Sequence, residues 1–259
     1  SPGFIDTHSH GDPVDRPVMH NFLGQGVTTI CLGQDGGSVR VGDMAEWMKK
    51  VEAARPGPNV VTYVGHGTVR NEAGAGLTKN PTDDQIHAMR RLVEQALAIG
   101  AYGLTTGLEY QPGMFATAKE LAEVAKPVGD HDLVVMSHMR SEDDDKLRAA
   151  ILELITQCDA AGADAHISHI KSVYGKGQDR AEEILGVIQE ARDFGMNVTA
   201  DIYPYTASFT GLGILFPEYA LPPNDYQQVV NEKREQLFEY LDQRVAKRNG
   251  PEATLFGTG

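Results

Sequence analysis

Short runs rich in apolar and β-branched residues alternate along this chain with longer stretches whose apolar positions recur every three or four residues. The short runs fall at 3–8, 27–33, 59–65, 101–108, 132–138, 163–169 and 197–203. Most are apolar on both faces, the pattern of strands buried in a parallel sheet. The stretches between them read as amphipathic helices; Ile86, Met89, Val93, Ala96 and Leu97, for example, share one helical face. Thr82 with Gln85, and Thr117 with Glu120, have the spacing of a reciprocal N-terminal cap. Gly100, Gly162 and Gly195 each stand where a helical pattern stops and a strand begins. The repeat of about 30 residues is that of a βα unit. It predicts an α/β fold, either a (β/α) barrel of the TIM type or a doubly wound open sheet. The rhythm holds through residues 1–205, which supply strands one to seven. From 206 it breaks into a Gly- and Pro-containing segment and a charged helix around 232–247. Residues 206–259 are therefore expected to begin an inserted subdomain, with a short strand at 253–256.

Side chains able to bind metal gather where these strands end. His8 and His10 close the first, Asp35 follows the second and His66 ends the third. Glu109 follows the fourth, His138 ends the fifth and His169 the sixth. A barrel brings all strand C-termini to one face, whereas an open sheet spreads them along an edge. The histidines thus favour the barrel. One histidine at a strand end is ordinarily a hydrogen-bonded loop residue, but period-two geometry points His8 and His10 to the same side. His138 with Arg140, and His169 with Lys171, repeat that spacing. His166 has the opposite parity and is expected to pack against a helix, while His20, His87 and His131 sit in helices or loops without a role. Zinc needs neutral imidazoles, a carboxylate and an open position for water. Two ions need a shared anion between them, because bare dications repel. Glu109, held by the turn through Tyr110, Pro112 and Gly113, is expected to be that bridge.

Composition narrows the partners. A net charge of −13 argues against nucleic acid and anionic membranes, which need clustered cations. No apolar run approaches the roughly 20 residues of a membrane-spanning helix. Cys31 and Cys158 make no disulfide framework and read as small buried residues, which permits a reducing compartment. The opening Ser-Pro-Gly-Phe and the closing Phe256-Gly-Thr-Gly259 are expected to be cuts rather than natural ends.

The run from Pro2 to Asp12, PGFIDTHSHGD, resembles the first-strand signature of the amidohydrolase superfamily. The ordered set GVTTICLGQDGGS, YVGHGTVR, GLTTGLEYQPG, SHMRSE, ISHIK and ADIYPYTAS is similar to the N-acyl-D-amino-acid deacylases, or D-aminoacylases. The likeness implies metal-dependent hydrolysis of an N-acyl-D-amino acid to a carboxylate and a free D-amino acid, with one or two divalent ions, most simply zinc. It implies His8 and His10 at one metal position, with His138 and His169 at the other. Lys171, Tyr203 and Ser208 would hold the substrate carboxylate, with Arg140 as a further anchor. Tyr110, or His66, would assist at the carbonyl oxygen.

Two departures stand out. Where many family members carry a cysteine ligand in a GNCG-like turn, this chain has Gly33-Gln34-Asp35-Gly36, so Asp35 is expected to be at most a secondary ligand. An eighth strand ending in a catalytic aspartate, and a flanking β-sandwich, are not found. The expectation is an incomplete barrel that needs a further segment, from the same or a second polypeptide, for activity. Two alternatives stay open. One is a cyclic amidase of the dihydroorotase or hydantoinase kind, disfavoured because the fourth strand carries no lysine for carboxylation. The other is a non-catalytic fragment or subunit.

Overall fold

The computed structural model describes residues 2–175 and 177–253. All strand pairings in it are parallel. Strands β1 (Phe4–Asp6), β2 (Val27–Leu32) and β3 (Asn59–Thr62) form one sheet. Strands β4 (Val64–Gly65), β5 (Gly103–Gly107), β6 (Val134–His138), β7 (Asp164–Ile167) and β8 (Val198–Ala200) form another, each in chain order. The expected third strand thus splits at Tyr63, where the chain changes partner. Tyr63 N still donates to Leu32 O on the β2 side (2.9 Å), while Tyr102 N donates to Thr62 O on the β5 side (2.8 Å). The two sheets are therefore one curved wall of seven staves, each lying inside a predicted run.

Helices follow the staves: α1 (His20–Leu23), α2 (Val41–Ala54), α3 (His66–Glu72), α4 (Asp83–Ile99), α5 (Ala118–Asp130), α6 (Leu147–Ala161), α7 (Gln178–Asp193) and α8 (Tyr226–Ala246). The cap at Thr82 is complete, with Gln85 N donating to Thr82 Oγ1 and Thr82 N to Gln85 Oε1. At α5 only half of the expected cap forms. Thr117 accepts from Glu120 N, but the Glu120 carboxylate turns inward to His66 and Arg70. A wholly buried guanidinium needs a counter-ion more than an exposed N-terminus needs a second acceptor. Gly162 caps α6 in the left-handed region (φ 70°), where a side chain would be strained.

The main core lies between the wall and its helices, where Leu104, Val135, Ala165 and Ile167 meet Met89, Val93, Val124, Ile151 and Leu154. Cys31 and Cys158 are buried and unpaired, and burial pushes both thiols up, Cys31 to about 11, so both are unreactive packing residues. The inner side of the wall holds a cleft of about 250 Å³, lined in part by Thr7, Tyr63, Met136, His166 and Thr199. His166 therefore faces inward, not against a helix as its parity predicted. The alternation fails because His169 has left the strand: β7 ends at Ile167 and His169 takes φ 38°.

Beyond β8 no strand occurs among the described residues. Ala220, Val229 and Leu237 make a small separate core under α8. Of the expected strand at 253–256, Ala253 ends a 3-10 turn and the rest lies outside the described residues.

Candidate metal centre

The C-terminal ends of β1, β2, β6 and β7 converge on Asp35. This residue sits in the Gln34–Gly36 turn with φ 56°, a conformation that costs free energy outside glycine. The turn has no room to relax, because a Cβ added at Gly36 would lie 2.8 Å from the Gly107 backbone. Asp35 Oδ1 is 3.5 Å from His8 Nε2, 3.5 Å from His169 Nε2 and 3.7 Å from His138 Nδ1; Oδ2 is 3.2 Å from His10 Nε2. The imidazoles also meet one another, with His138 Nδ1 and His169 Nε2 2.9 Å apart and the His8 and His10 ring centres 5.2 Å apart. Burial alone would raise the Asp35 carboxyl, but the facing imidazoles of His10, His169 and His8 hold it well below the carboxylate range.

His169 is fixed from behind. Its Nδ1 lies 2.8 Å from Glu142 Oε1, and its backbone N donates to Asp201 Oδ1. Asp201 Oδ2 meets His166 Nε2 at 2.8 Å. Burial would lower the His169 pKa, yet the carboxylates of Asp35 and Glu142 raise it to about 9. Glu142 and Asp201 were missed from the residues alone, although both lie inside motifs of the resemblance, SHMRSE and ADIYPYTAS; nothing in strand spacing marks them.

Glu109 stands apart from the expected bridging place. Its Oε2 is 3.2 Å from His138 Nε2, and it touches no other imidazole of the cluster. Its Oε1 faces Arg244 and Arg248 instead. The central carboxylate is Asp35, because its turn projects over the mouth of the barrel while Glu109 leans outward toward α8.

The remaining expected residues divide. The Tyr110 ring packs on His138 with centres 4.4 Å apart, and its hydroxyl meets Thr210 Oγ1 at 3.2 Å. Lys171 Nζ bonds Glu142 Oε1 (2.5 Å) and lies 5.4 Å from the centre of the Tyr203 ring. The Tyr203 hydroxyl is buried without a partner. Ser208 is exposed on the loop after β8. Two residues are not brought to the cluster. His66 is fully buried with Nε2 2.9 Å from Glu120 Oε1, and so is not placed to assist at a carbonyl. Arg140 is committed to both oxygens of Glu153 and to the carbonyls of Met114 and Ala116. It ties β6 to α6 and the 114–116 turn rather than facing a ligand. Arg140→Gln is accordingly expected to lower stability by about 1–2 kcal/mol, the pair being partly screened by solvent. Substrate KM should stay within about twofold; a KM rise of tenfold or more would restore Arg140 as an anchor.

Two groups can each hold an ion: His8, Asp35 and His169, and His138, Glu142 and His169. The donors fit a divalent cation. His8 Nδ1 and Asp35 Oδ1 are buried without a hydrogen-bond partner, and the set is imidazole and carboxylate, suited to zinc and its neighbours.

No family model matches the chain. It is 34% identical over 242 residues to N-acyl-D-glutamate deacylase of Alcaligenes xylosoxydans xylosoxydans, covering 85% of this chain and 49% of that protein. It is 33% identical over 235 residues to D-aminoacylase of the same organism, covering 82% and 48%. Among solved structures, N-acyl-D-glutamate deacylase from Bordetella bronchiseptica, complexed with zinc and a phosphonate mimic of the tetrahedral intermediate, superposes with a TM-score of 0.74 at 32% identity. That match covers 79% of this chain and 48% of that one. The chain spans about half the length of the relatives it matches. Across the half of their length that it spans, the chain is related in sequence and fold to the N-acyl-D-amino-acid deacylase family of amidohydrolases.

Proposed function

We propose that this chain carries the metal-binding and substrate-holding part of an enzyme that hydrolyses N-acyl-D-amino acids. The observation that carries the reading is Asp35, a half-buried carboxylate within 3.7 Å of four imidazoles drawn from three different strand ends. His8, His10, His138 and His169 would hold one or two divalent ions with the carboxylates of Asp35 and Glu142, and Glu109 would support His138. A divalent ion there supplies the Lewis acidity that activates water and polarises an amide carbonyl.

The chain's own groups define the rest. Burial keeps the Tyr110 phenol protonated, since its pKa is pushed well above the ordinary value, so it serves as a hydrogen-bond donor to a carbonyl oxygen beside His138. Lys171 and the unpartnered Tyr203 hydroxyl, with Ser208 on the adjoining loop, would receive the α-carboxylate. Glu142 and Asp201 keep the His169 ring and backbone in place. Among the described residues β1 and β8 do not pair, and Phe4, Ile5 and Ile202 beside these edges are exposed. A further strand between them would close the wall, whether from the same or a second polypeptide.

The test is direct. Protein containing this chain, loaded with zinc, should release acetate from N-acetyl-D-amino acids, spare the L enantiomers, and lose the activity on chelation. Full metal occupancy without hydrolysis of any N-acyl-D-amino acid would sink the proposal.

A further inference from the structure

Two arginines at the far end of α8 reach the wall beside the metal centre. Arg244 Nη1 donates to Asp143 Oδ2 (2.5 Å), and Arg248 Nη2 donates to Asp143 Oδ1 (3.1 Å). One carboxylate thus orients both guanidiniums. Glu109 Oε1 lies 3.6 Å from Arg244 Nη2 and 3.8 Å from Arg248 Nη2, close enough for attraction and too far for a good hydrogen bond. The Nε of each arginine is buried and has no acceptor among the described residues. Donors withheld from water and left unmatched are costly, and a pair of them at one place points to an acceptor that arrives from outside.

The place adjoins the reacting centre. Glu109 spans from these arginines to His138, and Asp143 follows Glu142, which bonds His169. The guanidiniums are thus separated from the metal cluster by the single carboxylate of Glu109. Their neighbourhood is electrically balanced, with Arg244, Arg248 and Lys247 set against Glu109, Asp143 and Asp145. A dianion such as phosphate would meet three carboxylates, whereas a singly charged planar group matches the arginine fork.

We propose that Arg244 and Arg248 form a subsite for a side-chain carboxylate, so that the preferred substrates are N-acyl derivatives of dicarboxylic amino acids. The inference rests on the deacylase reading, in which Lys171 and Tyr203 take the α-carboxylate and leave these donors for a second one.

N-acetyl-D-glutamate and its uncharged isostere N-acetyl-D-glutamine are the probes. Intact zinc-loaded protein should favour the glutamate by at least about tenfold in kcat/KM and in calorimetric affinity, the scale of a lost charge-assisted hydrogen bond, with the difference in KM rather than kcat. In R244M/R248M that ratio should fall toward one. A ratio near one in the unsubstituted protein, or a preference that survives the double substitution, overturns the subsite. Should neither probe be hydrolysed, the deacylase reading falls, and calorimetry decides the subsite alone by the same two ratios. If the double variant does not fold, as judged by circular dichroism, Arg248→Gln serves instead; it lies beyond the last residue of α8 and should lose at least about threefold of the preference.

Discussion

Asp35→Asn is expected to abolish tight metal binding, while Glu109→Gln keeps most of it. Asp35 offers its two oxygens to four imidazoles at 3.2–3.7 Å. The amide carries no charge and presents one acceptor in place of two, so the position formed by His8, Asp35 and His169 would lose its anion. Loss of a group that only supports a ligand costs about 10–100-fold in metal affinity, and Asp35→Asn should exceed that range. Of the imidazoles Glu109 touches His138 alone, and its loss should cost about tenfold at most. Competition titration against a chromophoric chelator measures both, and elemental analysis gives the stoichiometry. Equal losses would mean that the carboxylates share the bridging place; the reverse order would return Glu109 to the role its position in the sequence indicates.

The largest stability loss is expected at Glu120. His66, Arg70 and Glu120 are fully buried together, with Glu120 Oε1 2.9 Å from His66 Nε2 and 2.8 Å from Arg70 Nε. Arg70 also reaches the carbonyls of Gly76 and Thr78. Glu120→Ala would leave a guanidinium buried without its counter-ion, at a cost of about 3–5 kcal/mol. At this chain length each kcal/mol lowers Tm by about 2–4 °C, so the melting point should drop by roughly 10 °C. Glu120→Gln should fall between. Burial raises the Glu120 carboxyl, but bonds from His66 and Arg70 bring it below its ordinary value. The stabilisation is therefore fully present above the unfolded glutamate pKa near 4.5 and is lost as pH falls through the lower folded value. Unfolding curves between pH 3 and 7 should lose that acid-side slope in Glu120→Ala, and a slope unchanged by the substitution would refute the assignment.

Much of this was legible in the residues because buried parallel strands leave an unmistakable apolar run, and each predicted run contains its strand. The four imidazoles were legible for the same reason, since barrel geometry collects whatever stands at strand ends. What escaped depends on conformation between elements. Parity misplaced His166 because the strand stops at Ile167 and His169 turns into the left-handed region. Strand position favoured Glu109 over Asp35, yet the bend of a four-residue turn decides which carboxylate overhangs the barrel. Arg140 shares a motif with His138, but the chain has left β6 by then and the side chain falls among α6 and the 114–116 carbonyls. Arg244 and Arg248 lie 101 and 105 residues from Asp143 and farther still from Glu109, a pairing that no local pattern encodes.

The backbone at Asp35 and His169 carries a further meaning for how such a chain drifts. Both hold positive φ, 56° and 38°, a region that glycine enters without cost and other residues enter under strain. Substitution by glycine at either place would relax the main chain and delete a metal-binding side chain in the same stroke. Selection for a more durable fold and selection for the site thus pull these two codons in opposite directions. In a gene copy released from the need to bind metal, Asp35 and His169 should be among the earliest residues to be replaced, ahead of His8 and His10, whose backbone offers no comparable relief.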